Sequence, residues 1–205
     1  MIGKANCLTF IRLFVTPIFM ILYLNHNFFS ISSIVLPYIL LIIFGFLELS
    51  DAVDGFLARK YAEVTDLGKV LDPMADSVYH ISVFLTFTRP PVDLPLILVF
   101  IFIYRDSVIS TLRTLCALNG IALGARSSGK IKSVLQAISS LAVLLMMIPY
   151  SLGYCAQDSL RYTAIIGIGL AALYSVASGL EYLIVNRKYL ILMINTTSAS
   201  KNKKH

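Results

Sequence analysis

Four aspartates, Asp51, Asp54, Asp72 and Asp76, stand three and four residues apart in two pairs, within a chain that is otherwise strongly apolar. On a helix, positions i and i+3 or i and i+4 share a face, so each pair points one way. Two such helices side by side turn all four carboxylates toward a common point. Hard oxygen donors, with no His or Cys inside the motif, suit Mg²⁺ or Mn²⁺ rather than zinc. Two such ions about 4 Å apart can clamp a diphosphate and activate an oxygen nucleophile, which is the chemistry of phosphoryl-type transfer. A lone carboxylate in a membrane span costs about 2.5 kcal/mol or more, and four together call for cations of this kind.

The residues between the acids fit a phosphorylated ligand. Gly55 and Ala58 fall on the same helical side as Asp51 and Asp54, where small side chains let a flat or phosphorylated group approach the backbone. Arg59 adds a planar positive fork for phosphate. Taken together, Asp51, Asp54, Gly55, Ala58, Arg59, Gly68, Asp72 and Asp76 give the spacing D-x2-D-G-x2-A-R-x8-G-x3-D-x3-D. This resembles the signature of the CDP-alcohol phosphatidyltransferase family.

The resemblance implies an enzyme that moves the phosphatidyl group of CDP-diacylglycerol to the hydroxyl of a small polar acceptor and releases CMP. It implies two divalent cations, Mg²⁺ or Mn²⁺, on Asp51, Asp54, Asp72 and Asp76. Asp76, last in the motif, is implied to face the acceptor and take its proton. Asp54, Gly55, Ala58, Arg59, Thr65 and Gly68 are implied to admit and hold the cytidine nucleotide of the CDP-lipid. Homodimer formation through membrane helices follows from the same resemblance, and Gly167, Gly169, Ala171, Ala172, Ser175 and Ser178 give the last span small residues suited to close packing.

Other segments point to the acceptor. Asn6, Leu8, Thr9, Arg12 and Pro17 resemble the NxLTxxR…P opening of many bacterial members, which would set Thr9 and Arg12 near the mouth of the site; a surface anchor is the competing reading of Arg12. Arg105 and Arg113, eight residues apart, fall on nearly one helical face within an apolar span and need anionic partners. Asp106 is a candidate to neutralise one of them but is rotated away from that stripe, and the simplest partner for both is a bound phosphate. The loop from Arg126 to Gln136 carries Gly129, Lys130, Lys132, Ser133 and Gln136, resembling the G-K-x-K-T-x-x-Q segment of family members that make phosphatidylglycerol phosphate. Two lysines and a hydroxyl at a helix start form an anion site; contact with acidic lipid headgroups is the alternative. Asp76 is followed by Ser77, where those members often carry lysine. With Arg105, Arg113, Lys130, Lys132 and Ser133 assigned to an acceptor phosphate, glycerol-3-phosphate is the expected acceptor. Inositol phosphate, or phosphatidylglycerol as in cardiolipin synthesis, is the alternative within the family.

The elements that must position these residues follow from composition. Of 205 residues, 58% are hydrophobic and only 14% charged, where soluble domains have about 25% charged. Apolar runs near the ~20 residues needed to span a bilayer lie at about Leu8–Leu24, Ile31–Leu49, Pro73–Thr88, Leu94–Leu118, Ile131–Leu152 and Tyr162–Val185. The expectation is an all-α polytopic membrane protein of six transmembrane helices, one domain over 1–197 and a polar basic tail over 198–205. Asp72 followed by Pro73 reads as the start of the third helix. Arg12 interrupts the first apolar run and no small-residue cleavage pattern follows, so it is read as a retained helix.

The basic residues set the orientation. With a cytoplasmic N-terminus, Arg59, Lys60, Lys69, Arg126, Lys130, Lys132, Arg187, Lys188, Lys201, Lys203 and Lys204 all fall on the cytoplasmic side, and the outer loops hold only Arg89 and Arg161. Both termini and the aspartates are then expected at the cytoplasmic face of the cell membrane, where lipid donor and soluble acceptor meet. No nucleic-acid partner is expected.

Cys7, Cys116 and Cys155 are scattered and suggest neither disulfide nor zinc site; His80 is expected to pack or hydrogen-bond rather than ligate, and Glu48 and Glu63 to be solvated or locally paired. The sequon at Asn195 is discounted on a cytoplasmic tail. Three readings compete for the aspartates. Helix caps paired with nearby Lys and Arg do not account for acids on two facing stripes with Gly55, Ala58 and Gly68 between them. A divalent-cation transporter would place its acids along a midplane path. A membrane scaffold gives no reason for the spacing.

Overall fold

The computed structural model describes residues 4–61, 66–118 and 127–201, and the side chains of 9–53, 73–116 and 128–187. Among these residues the chain forms six helices: α1 (Lys4–Asn25), α2 (Leu36–Tyr61), α3 (Asp66–Phe87), α4 (Leu96–Leu118), α5 (Ser127–Ser151) and α6 (Gln157–Lys201). The chain is an all-helical polytopic membrane protein. Leu36–Val53, Ser128–Ser151 and Gln157–Arg187 are each long and apolar enough to cross a bilayer, and Thr9–Asn25 is a shorter apolar stretch.

Two helix starts differ from the sequence reading. α3 begins at Asp66, not at Pro73, so Pro73 lies inside the helix. One missing N–H is tolerated in membrane helices where neighbouring groups absorb the freed carbonyl. α5 begins at Ser127, so Lys130, Lys132 and Ser133 belong to its first turns rather than to a loop. In both cases polar residues that look like a connection by composition continue the helix, and at the start of α5 Lys132 is buried within the bundle.

α1 packs on α2 and α3, α4 and α5 pack on α6, and α5 also leans on α2 and α3. The interior is filled by Phe19, Leu40, Leu47, Phe84, Phe87, Phe102, Leu144 and Ile168. Phe14, Ile42, Leu49, Ile97, Ile166, Leu170, Leu173 and Ile184 face outward, as lipid contact requires. Away from the aspartates the loops are tied down: Tyr23 Oη donates to the Arg89 carbonyl at 3.0 Å and Gln157 Nε2 to Asp93 at 2.7 Å. Just past the end of α5, Gly153 has a φ of +81°, the left-handed conformation that lets the Tyr154 N–H return to the Pro149 carbonyl.

The small residues of α6 turn mostly inward. Ser139 Oγ donates to the Gly167 carbonyl at 2.9 Å, and Ala171, Ala172, Ser175 and Ser178 are buried within the subunit. Small residues of α6 therefore serve contacts with both α5 and α4, Gly167 against Ser139 and Ser178 against Arg105. Of the set expected to serve a dimer, Gly169 faces open space.

Candidate functional site

α2 and α3 both pack on α1, and side chains link the two one turn below the aspartates. Tyr79 packs on Phe44 with ring centroids 6.0 Å apart, and its hydroxyl donates to Glu48 at 3.2 Å. Three residues on along α2 is Asp51, and three residues back along α3 is Asp76. Antiparallel helices carry these two positions to the same level. A further turn reaches positions 54 and 72. The side chains of Asp54, Gly55, Ala58, Arg59, Gly68 and Asp72 lie outside the described residues, as does Thr65 altogether. Glu48 is locally paired, as the sequence suggested, and the pair sets the register of the motif.

Asp51 and Asp76 have different surroundings. Asp51 is 55% exposed and accepts a 2.5 Å ion pair from Arg12, itself only 1% exposed. Arg12 is thus not a surface anchor: it reaches from the buried face of α1 to the first residue of the motif. Asp76 is 23% exposed. Its Oδ2 accepts from Ser133 Oγ on α5 at 2.8 Å, and its Oδ1 lies 3.3 Å from His80 Nε2 one turn along α3. His80 is held between Tyr79 and Phe84, with centroids at 4.7 and 6.5 Å. It packs and hydrogen-bonds, as expected, and it does so against the motif itself.

The described donors fit a hard divalent cation. Each carboxylate oxygen has two lone pairs, so beside its contacts with Ser133 and His80 the Asp76 carboxylate has acceptor capacity for a metal. Among the described residues no group of three or more His, Cys, Asp or Glu gathers, since only Asp51 and Asp76 of the four aspartates belong to that set.

The residues expected at an acceptor phosphate are brought together in part. Lys132, 3% exposed, donates from Nζ to both oxygens of Asp106 at 2.9 and 2.8 Å, and Arg105 donates to Asp106 Oδ1 at 3.0 Å. Of the two partners weighed for the arginines, Asp106 does neutralise one of them, Arg105, despite its rotation from the stripe. A flexible guanidinium bends to a neighbouring carboxylate although their Cα positions are rotated apart, and Asp106 meets α5 as well. Arg105 also donates to Ser178 Oγ at 3.1 Å, and it crosses α6 over Gly179, where an added Cβ would lie 3.1 Å from Arg105 Cγ. Arg113 sits apart, 5.3 Å above the centre of the Tyr182 ring. Lys130 is exposed.

α5 thus joins two centres through successive residues, Lys132 to Asp106 and Ser133 to Asp76. Sequence reasoning weighed Asp106 as a partner for one arginine, since an acid inside an apolar span needs a cationic partner, but missed Lys132 as its second partner, and it missed Ser178, Gly179 and Tyr182 at this centre. For the residues of α6 no signal existed.

A family model described as CDP-alcohol phosphatidyltransferase matches residues 3–176. The CDP-diacylglycerol--glycerol-3-phosphate 3-phosphatidyltransferase of Bacillus subtilis is 32% identical over 190 residues, covering 89% of this chain and 94% of that protein. A probable phosphatidylglycerophosphate synthase of Mycobacterium tuberculosis is 28% identical over 179 residues, 87% of this chain and 78% of that one. The Rickettsia felis protein with the same name as the Bacillus one is 26% identical over 189 residues, 90% of this chain and 95% of its own.

Proposed function

The chain belongs to the CDP-alcohol phosphatidyltransferase family, and from that premise we propose that it transfers the phosphatidyl group of CDP-diacylglycerol to glycerol-3-phosphate, giving phosphatidylglycerol phosphate and CMP. The observation that carries the acceptor half is the adjacency of Lys132 and Ser133 on α5, which sets a cationic group beside the hydroxyl bound to Asp76. A small molecule with a hydroxyl at one end and a phosphate at the other suits that pair.

In the proposed reaction the acceptor hydroxyl loses its proton to Asp76, and its oxygen bonds to the β-phosphorus of the donor. The bond from that phosphorus to the oxygen shared with CMP breaks, and CMP departs with the electron pair. Ser133 and His80 hold the Asp76 carboxylate in place, and Arg12 holds Asp51. Asp51, Asp54, Asp72 and Asp76 would hold two divalent cations, Mg²⁺ or Mn²⁺, which supply neutralisation of the diphosphate and of the charge that grows on CMP. Gly55, Ala58 and Gly68 would admit the nucleotide, with Arg59 and Thr65 on its polar groups. Arg105, Arg113, Lys130 and Lys132 would receive the acceptor phosphate, with Asp106 yielding Lys132 and Arg105 to it.

The proposal includes the orientation read from the basic residues, with both termini and the site at the cytoplasmic face, and a homodimer as the family resemblance implies. Mass measurement in mild detergent reads the dimer, and accessibility of single cysteines to an impermeant reagent reads the orientation.

The test of function is CMP release by purified protein in detergent with CDP-diacylglycerol and Mg²⁺ or Mn²⁺. Glycerol-3-phosphate, inositol phosphate, inositol, serine and phosphatidylglycerol are offered separately. Turnover with glycerol-3-phosphate, abolished by a chelator and by Asp76→Asn, is the expected result. Turnover only with another acceptor overturns the acceptor assignment.

A further inference from the structure

The face of α5 that turns into the bundle changes character along its length. Lys132, Ser133, Gln136 and Ser140 occupy its first turns, and Val143, Leu144 and Met147 continue the buried side toward the far end. At about 100° per residue, Gln136 points between the directions of Lys132 and Ser133, one turn deeper. Lys132 is engaged by Asp106 and Ser133 by Asp76. Gln136 and Ser140 are both 0% exposed, yet Gln136 Oε1 and Nε2 and Ser140 Oγ have no hydrogen-bond partner among the described residues. A buried carboxamide without a partner among the described residues is costly when Leu or Met would fill the same volume.

We propose that Gln136, with Ser140 behind it, reads the hydroxyl next to the attacking one on a polyol-phosphate acceptor. The inference rests on the proposed function, in which the acceptor runs from Asp76 at its attacking hydroxyl to Lys132 and Arg105 at its phosphate. The middle carbon of such a molecule lies over the residue between those two ends, and that residue is Gln136. A hydroxyl both donates and accepts, and a carboxamide offers the matching acceptor and donor. A lysine there would compete for the phosphate, a carboxylate would repel it, and an apolar side chain would read nothing.

The experiment compares glycerol-3-phosphate with 3-hydroxypropyl phosphate, which has both ends and lacks the middle hydroxyl. kcat/KM is measured for each in the full chain and in Gln136→Met. The unaltered protein is expected to prefer glycerol-3-phosphate by about tenfold or more, since a site built to bond a hydroxyl discriminates against the analogue without it. Gln136→Met is expected to lose that preference by falling on glycerol-3-phosphate alone. A merely structural role would lower both substrates together and keep the ratio. A ratio unchanged in the variant, or no preference in the unaltered protein, overturns the inference and leaves the proposed function standing. No turnover of either substrate by the unaltered protein overturns both. Met is close to Gln in shape and removes unbonded polar atoms, so the variant is expected to unfold at the same temperature or higher. If it does not fold, Ser140→Ala carries the test, with a two- to threefold loss of preference expected and an unchanged ratio overturning the inference.

Discussion

Asp76 and Asp106 are both carboxylates on inward faces of neighbouring helices, and consecutive residues of α5 serve them, but the two are bonded in opposite ways. Asp106 receives a bidentate lysine and an arginine, so its charge is matched within the protein. Asp76 receives a serine hydroxyl and faces an imidazole, contacts that orient it and leave lone pairs for a cation or a proton. Charge type in the sequence does not separate them. What separates a chemical carboxylate from a counter-ion is the number of cations already committed to it.

That contrast can be broken from either side. Asp76→Asn removes the group that would take the acceptor proton and is expected to lower kcat about 10³-fold, with thermal unfolding in detergent little changed; an unfolding temperature that collapses with activity would make Asp76 structural. Asp106→Asn leaves Lys132 and Arg105 buried against a neutral amide, at a cost of about 3 kcal/mol in stability. Part of that is expected back in the double variant Asp106→Asn with Lys132→Met, because the second change removes the uncompensated cation, and denaturant unfolding of the three proteins measures it. Equal losses in the single and double variants would mean that the ion pair is not the source.

Smaller effects sharpen the comparison. Ser133→Ala takes one charge-assisted hydrogen bond from the Asp76 carboxylate and is expected to cost about 1.5 kcal/mol, or roughly tenfold in kcat. Tyr79→Phe removes the hydroxyl on Glu48 and is expected to cost about 1 kcal/mol in stability, with a weaker effect on turnover, because Phe44 keeps the ring in register.

Much of the fold was legible because lipid imposes length and polarity on each span, and all six expected runs fall largely within observed helices. The starts at Asp66 and Ser127 were not, since residues such as Asp66, Lys69, Ser127 and Lys130 look like loop by composition. Of the site, the aspartate spacing was legible from helical periodicity alone. Arg12 was noticed but placed between two readings, and its buried contact with Asp51 decides for the site.

The sequence by itself determined which residues share a helical face: Asp51 with Asp54, Asp72 with Asp76, Lys132 with Gln136. Periodicity along one helix contains that information and no more. Only the tertiary structure decided which face meets which, so that Lys132 and Arg105 close on Asp106, Ser133 on Asp76, and Arg12 on Asp51. The rotation of each helix about its axis is set by packing against its neighbours, and long side chains such as Arg105 reach partners that their Cα positions do not face.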